Sequence, residues 1–357
     1  MHKCQKAVQS IPTWRTRIPG VRNAIIPPQT TRPNPLVVRD KLFASLFAPG
    51  LVCAVARESG EVLWVKALDS YASSSVLLQN RVLYATSNRT LYSLNPNNGK
   101  VNWEFSPQTA NGEWIYSQPV VRAGRVFIGD RCGDFHCLDA KTGKQLWRRR
   151  TSRGCNNQVN STALVVGDRV ITANNEGAVI CYSVDSGNTI WRRRIDGGCI
   201  GELLHHRTTV IVAGASLIAI DCRTGDIRKK LKFPGKSVAS VTLAGSRIAT
   251  ILGTDFHSQP SAWQDPSAFH GELVIQEGSR EITRRRVSGT PYLRTCDETG
   301  LVYAANFYGM SVFDPSDGSR LITRRGEIAL PTFSHGVLYG LTREGVLFAE
   351  PRLPRSR

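Results

Sequence analysis

A glycine followed four residues later by a tryptophan recurs along the chain, and this spacing constrains the fold more than any other feature. It occurs as Glu58-Ser59-Gly60 with Trp64, Asn97-Asn98-Gly99 with Trp103, Lys141-Thr142-Gly143 with Trp147, and Asp185-Ser186-Gly187 with Trp191. These glycines lie 39, 44 and 44 residues apart. Copies without the tryptophan follow: Thr224-Gly225 before Lys229, Glu277-Gly278 before Ile282, and Asp317-Gly318 before Ile322, at glycine steps of 38, 53 and 40. Self-similarity at such a period marks a chain that stacks one small unit many times.

Each unit holds four short β-type runs. In the third they cover residues 119–122, 125–129, 134–138 and 145–149, divided by Ala123-Gly124, Cys132-Gly133 and Thr142-Gly143. Short alternating runs with glycine-bearing turns read as a four-stranded antiparallel meander. One such sheet every 40 to 50 residues is a propeller blade, which buries its faces only against neighbouring blades. Seven units end near residues 66, 105, 149, 193, 232, 286 and 325, and the C-terminus adds three runs with no fourth. The missing strand is available at the N-terminus, where Ile11–Ile18 around Trp14 resembles Thr189–Ile195 around Trp191. The expected fold is therefore all-β, a single eight-bladed β-propeller whose N-terminal strand completes the last blade. The expected blades are 33–67, 73–106, 117–150, 160–195, 200–233, 237–287 and 289–325, then 329–350 closed by 1–18, with 351–357 a tail.

The run Leu138-Asp139-Ala140-Lys141-Thr142-Gly143-Lys144-Gln145-Leu146-Trp147 resembles the repeat of the pyrroloquinoline-quinone-type (quinoprotein-like) β-propellers. That superfamily includes quinoprotein alcohol dehydrogenases and the BamB-type outer-membrane assembly lipoprotein, and the likeness covers nearly the whole chain. The resemblance implies that Trp14, Trp64, Trp103, Trp147 and Trp191 are structural and dock one blade onto the next. A tryptophan buries enough apolar area for that task. Blades five to seven lack it, so looser packing is expected there.

In a meander of this kind the loops between strands two and three share a face with the links between blades. The irregular features fall on that face. Trp114 lies in the link between blades two and three, Cys155, Asn156 and Asn157 in the next, and Cys199 in the one after. The long insertion, about 254–270, carries His257, Trp263 and His270. Irregular loops on a regular scaffold carry function, so these residues are the expected binding face for a protein partner. Cys155 with Cys199, or His257 with His270, could ligate zinc, but neither pair has a tight metal spacing.

The chain has 46 Lys+Arg against 28 Asp+Glu, a net charge of +18. Part of it is patterned: Arg148-Arg149-Arg150, Arg192-Arg193-Arg194 and Arg284-Arg285-Arg286 occupy the outermost strand of their blades. Such a rim either shields exposed sheet edges or attracts nucleic acid or another anionic surface. Catalysis is the remaining alternative. By resemblance it would be a dehydrogenase using pyrroloquinoline quinone and calcium, yet no adjacent cysteine pair and no oxygen cage is legible, so no cofactor and no metal are expected. No run of 18 apolar residues spans a membrane. No apolar segment follows Met1-His2-Lys3-Cys4, and nine cysteines fit reduced thiols. Both point to the cytoplasm, and a longer N-terminus would point to the envelope.

Overall fold

The computed structural model describes residues 13–21, 34–108, 114–152, 158–199, 201–253, 270–288, 292–296, 298–306, 309–325, 329–342 and 344–351. Its regular elements are all strands, arranged as eight four-stranded antiparallel sheets. Seven sheets are consecutive meanders, and the eighth takes its fourth strand from the other end of the chain. The molecule is thus an eight-bladed propeller. In blade 3 the strands are Val120–Arg122, Arg125–Gly129, Asp134–Asp139 and Gln145–Arg150, running from the central channel outwards.

Burial changes from strand to strand in a way that explains the sequence. The second and third strands of blade 3 are buried nearly throughout, because a neighbouring blade covers each face. Arg125–Gly129 therefore reads as an almost continuous apolar run, whereas Asp134–Asp139 buries Phe135, Cys137 and Leu138 together with the polar Asp134 and His136. The outer strand Gln145–Arg150 has solvent on its far side and buries Trp147 alone.

Every tryptophan of the repeat makes the same contact. Its ring lies under the turn glycine of the following blade, and its indole N–H donates to a carbonyl in that turn. Trp64 Nε1 donates to Pro96 O at 3.1 Å, Trp103 to Ala140 O at 3.0 Å, Trp147 to Val184 O at 3.1 Å and Trp191 to Cys222 O at 3.1 Å. At Gly187 a Cβ would stand 2.7 Å from the Trp147 ring, and φ is +68°. No other residue accepts both the contact and the left-handed backbone.

Ring closure repeats the device. The strand Trp14–Arg17 pairs with Val346–Pro351 in the register Trp14↔Ala349 to Arg17↔Val346. Trp14 Nε1 donates to Arg57 O at 2.8 Å, and its ring lies under Gly60 of blade 1. Trp14 and the fully buried Ile18 join one core cluster with residues of blades 8 and 1.

The later junctions differ. Lys229 stands opposite Ala219 as Trp147 stands opposite Cys137, and its Nζ donates to Gly278 O at 2.7 Å. In blade 6 the turn shortens to Gly278-Ser279, so Thr283, not Ile282, occupies the tryptophan position and lies against Gly318. Packing between blades 6 and 7 shifts inwards instead. Ser240 Oγ accepts the Leu293 N–H at 3.2 Å, and the two blades share a cluster of Ile251, Leu273, Ile275, Val302 and Phe313.

Candidate functional site

The links and the loops between strands two and three form one end of the propeller, here the link face. The other hairpin turns form the turn face. On the link face, Gly50 lets the Ser70 carbonyl approach so closely that any Cβ would clash. That approach sets Tyr71 on Phe47, stacked at 4.8 Å and 14°, and leaves Tyr71 49% exposed. The Tyr71 carbonyl accepts the Asn88 N–H at 2.8 Å, and the Asn88 carbonyl accepts the Ile115 N–H at 2.7 Å. Beside Ile115, Trp114 is 38% exposed. Its ring lies 5.8 Å from Tyr116, and the Arg131 guanidinium sits 5.3 Å from its centroid. The Arg131 N–H donates to the Trp114 carbonyl at 2.8 Å, which fixes the pair.

A ridge of Phe47, Tyr71, Trp114 and Tyr116 with Arg131 therefore crosses blades 1 to 3, held by backbone hydrogen bonds. Aromatic rings and arginine are the side chains that anchor protein interfaces, and an indole face over a guanidinium is a cation–π contact. Burial pushes the Tyr116 hydroxyl above its ordinary pKa, and Arg131 partly offsets this. Of this ridge, sequence reasoning found Trp114 alone. Tyr71 was legible only through Gly50, whose tight approach has no sequence period.

The other expected site residues separate. Cys155, Asn156, Asn157, His257 and Trp263 lie outside the described residues. His270 opens the third strand of blade 6, where it pairs with Ser288. Cys199 is fully buried in the core shared by blades 4 and 5, and burial pushes its thiol up to about 11. Cys53, Cys137 and Cys181 are likewise buried and raised to about 12. Among the described cysteines, only Cys132 is partly exposed. A maleimide should therefore label Cys132 before the other six in the folded chain, because the thiolate is the nucleophile. Peptide mapping of labelled protein checks this, and faster labelling of Cys199 would contradict its burial.

The arginine rim is not a uniform cationic surface. Arg149 donates to Gly187 O and Ser186 O, both at 2.8 Å, and Arg193 donates to Thr224 O at 3.2 Å. These two clamp the next blade's turn. Arg148 and Arg150 lie 2.6 and 3.8 Å from the buried Asp134 carboxylate. Arg192 donates to Thr151 O at 2.6 Å. Arg284 bridges Glu272 and Glu281, which raise its pKa further. Arg194, Arg285 and Arg286 are exposed.

Two other polar features bear on catalysis. His136, not singled out in the sequence, contacts Asp130 Oδ2 at 3.0 Å and Gln145 Oε1 at 2.9 Å, but it is 2% exposed and ties strands together. In the central channel, Arg294 of blade 7 holds Glu202 of blade 5 through two hydrogen bonds of 2.8 and 3.1 Å. A quinone with calcium needs a cluster of free oxygen donors. The described residues do not fit that need: Glu202 is already paired, and no three His, Cys, Asp or Glu side chains among them gather as a metal site.

Comparison with known proteins places this architecture. A family model described as outer membrane protein assembly factor BamB matches residues 13–231. The outer membrane protein assembly factor BamB of Legionella pneumophila (strain Paris) is 28% identical over 105 residues, which are 29% of this chain and 26% of that protein. The match thus spans about a quarter of that relative. Among solved structures, BamB from Moraxella catarrhalis superposes with a TM-score of 0.56 at 18% identity, covering 87% of this chain and 81% of that one. Quinohemoprotein alcohol dehydrogenase from Comamonas testosteroni gives 0.72 at 11% identity, covering 97% and 77%. At such identities the structural likeness concerns the fold alone.

Proposed function

The chain belongs to the family described as outer membrane protein assembly factor BamB, and from that premise we propose that it is a non-catalytic scaffold that binds a protein partner on its link face. The observation that carries this reading is the fixed ridge of Tyr71, Trp114 and Arg131, with two of its rings open to solvent. Rigid aromatic anchors beside a cation lose little entropy on binding and give up large area to a partner. The relatives' description, outer membrane protein assembly, supports an envelope setting for that partner and gives none to the cytoplasmic expectation. No quinone enters this function. Nucleic acid at the rim is the weaker reading, because Arg149 and Arg193 are held by backbone carbonyls and Arg148 by Asp134.

The test is to capture partners from an envelope extract with the immobilised chain, identify them by mass spectrometry, and measure affinity with the purified partner. Trp114→Ala should weaken binding by at least about tenfold while leaving the melting temperature nearly unchanged, since a centrally placed Trp contributes on the order of 2 kcal/mol or more. Full affinity in both Trp114→Ala and Tyr71→Ala would remove the link face from the function.

A further inference from the structure

We propose that the turn face carries a second site, a cationic cleft between blades 1, 2 and 3 that binds a ligand bearing two or more phosphate groups. The site lies at the opposite end of the propeller from the aromatic ridge and does not depend on it.

The cleft has a volume of about 870 Å3, within the ordinary size range of ligand pockets. Its origin is a missing strut. At the first residue of the second strand, blade 1 has Lys41 and blade 3 has Arg125. Each reaches across to the turn of the following blade: Lys41 Nζ to Asn97 Oδ1 at 2.6 Å, and Arg125 to Asp185 Oδ1 at 2.7 Å. Blade 2 has Val82 at this position, too short to cross. The turn of blade 3 that should receive the strut offers Lys141 in place of Asn97 or Asp185. Both halves of the strut are therefore changed, which leaves an open space and a cation directed to no acceptor.

Two further cations edge the same space. Arg81 stands on the two-residue turn Asn80-Arg81, where φ is +51° and +64°, the backbone of a tight and rigid hairpin. Arg39 stands on the corresponding turn of blade 1, whose carbonyl accepts Arg57 Nη1 at 3.2 Å. Among the described residues, Arg39, Arg81 and Lys141 have no salt-bridge partner, and Asp40 is the one carboxylate lining the cleft. Three exposed cations without a salt bridge, gathered around one cleft, match a compact ligand of several negative charges. Guanidinium groups fit phosphate oxygens in pairs, and the amides of Asn80 and Asn102 on the wall can donate to the remaining oxygens. The phosphates can belong to a soluble compound or to a lipid headgroup, which share this chemistry.

Tripolyphosphate and phosphatidylcholine vesicles doped with a bisphosphorylated inositol lipid are the probes, used with the full chain at fixed salt. Calorimetry should show saturable binding of tripolyphosphate, and flotation should show binding to the doped vesicles but not to pure phosphatidylcholine. Binding in the first arm alone identifies soluble ligands, and binding in the second alone identifies headgroups. Arg81→Glu should weaken whichever arm is positive by about tenfold or more, as loss of charge-assisted contacts does. Val82→Trp separates shape from charge: it leaves the cations in place but fills the cleft beside them, so binding should fall. Equal or tighter binding by Val82→Trp would overturn the proposal. So would an equal loss in Arg285→Glu on the rim, or binding to neither probe. Melting curves of each variant confirm folding.

Discussion

Trp147→Ala is expected to destabilise the chain by about 3–5 kcal/mol, the range for truncating a buried tryptophan. Its ring centre lies 5.9 Å from Phe127, 6.0 Å from Phe135 and 6.1 Å from Tyr182, so it joins rings of blades 3 and 4 in one aromatic cluster. The substitution removes the buried area of the indole, the hydrogen bond to Val184 O, and the wall under Gly187. It also removes the surface on which Arg149 rests, 5.8 Å from the ring, while that guanidinium caps the same turn. Neighbouring rings are fixed by two sheets and collapse poorly into the space, which keeps the cavity cost high. Thr283→Ala is the matched control. Thr283 takes the equivalent position in blade 6, yet its contact with Gly318 is that of a small side chain, and its loss should cost about 1 kcal/mol or less. Denaturant unfolding followed by far-ultraviolet circular dichroism measures both. Equal midpoints for Trp147→Ala and wild type would show that the docking contact does not hold the ring together.

These two positions also show why part of the fold was legible and part was not. The glycine–tryptophan spacing was visible because one contact forces both residue types: the glycine lacks the Cβ that would strike the ring, and the ring fills what the glycine leaves. The shift to Thr283 was hidden because the turn Gly278-Ser279 is shorter than the others, so counting four residues from the glycine lands on Ile282, one residue short. The link face was legible as a place and poorly legible as a set of residues. Trp114 was noticed because tryptophan is rare outside the repeat, whereas Tyr71 depends on a backbone approach at Gly50 that leaves no period behind. The burial of Cys199 was not legible either, because nothing in the spacing of Gly197-Gly198-Cys199 shows that the link lays the thiol in the core of blades 4 and 5. The cleft on the turn face rests on an absence: valine is an ordinary strand residue, and only comparison with Lys41 and Arg125 shows that Val82 leaves a crossing unmade.

The largest effect should come from removing residues 1–18. A ring of sheets differs from an open stack in that each blade covers two neighbours, so one broken junction uncovers two faces. The strand Trp14–Arg17 acts at such a junction in two ways. It pairs through four residues with the third strand of blade 8, whose edge would otherwise stand open to pairing with other chains. It also places Trp14 under Gly60 and Thr16 Oγ1 on Gly60 O at 2.8 Å, the contact that holds blade 1. Deletion therefore exposes the outer edge of blade 8 and the face of blade 1 together, and Ile18 leaves their shared core. Loss of the tryptophan alone is worth about 3–5 kcal/mol, which is comparable with the entire stability of many domains. The truncated chain should lose its sharp thermal transition and aggregate on heating, as calorimetry and light scattering would record. A synthetic peptide spanning residues 9–21, added in trans, should restore part of the transition in proportion to its concentration, because it binds the folded ring and not the unfolded chain. A truncated chain that melts as sharply as the intact one, and at the same temperature, would mean that the ring is held by contacts other than this closure.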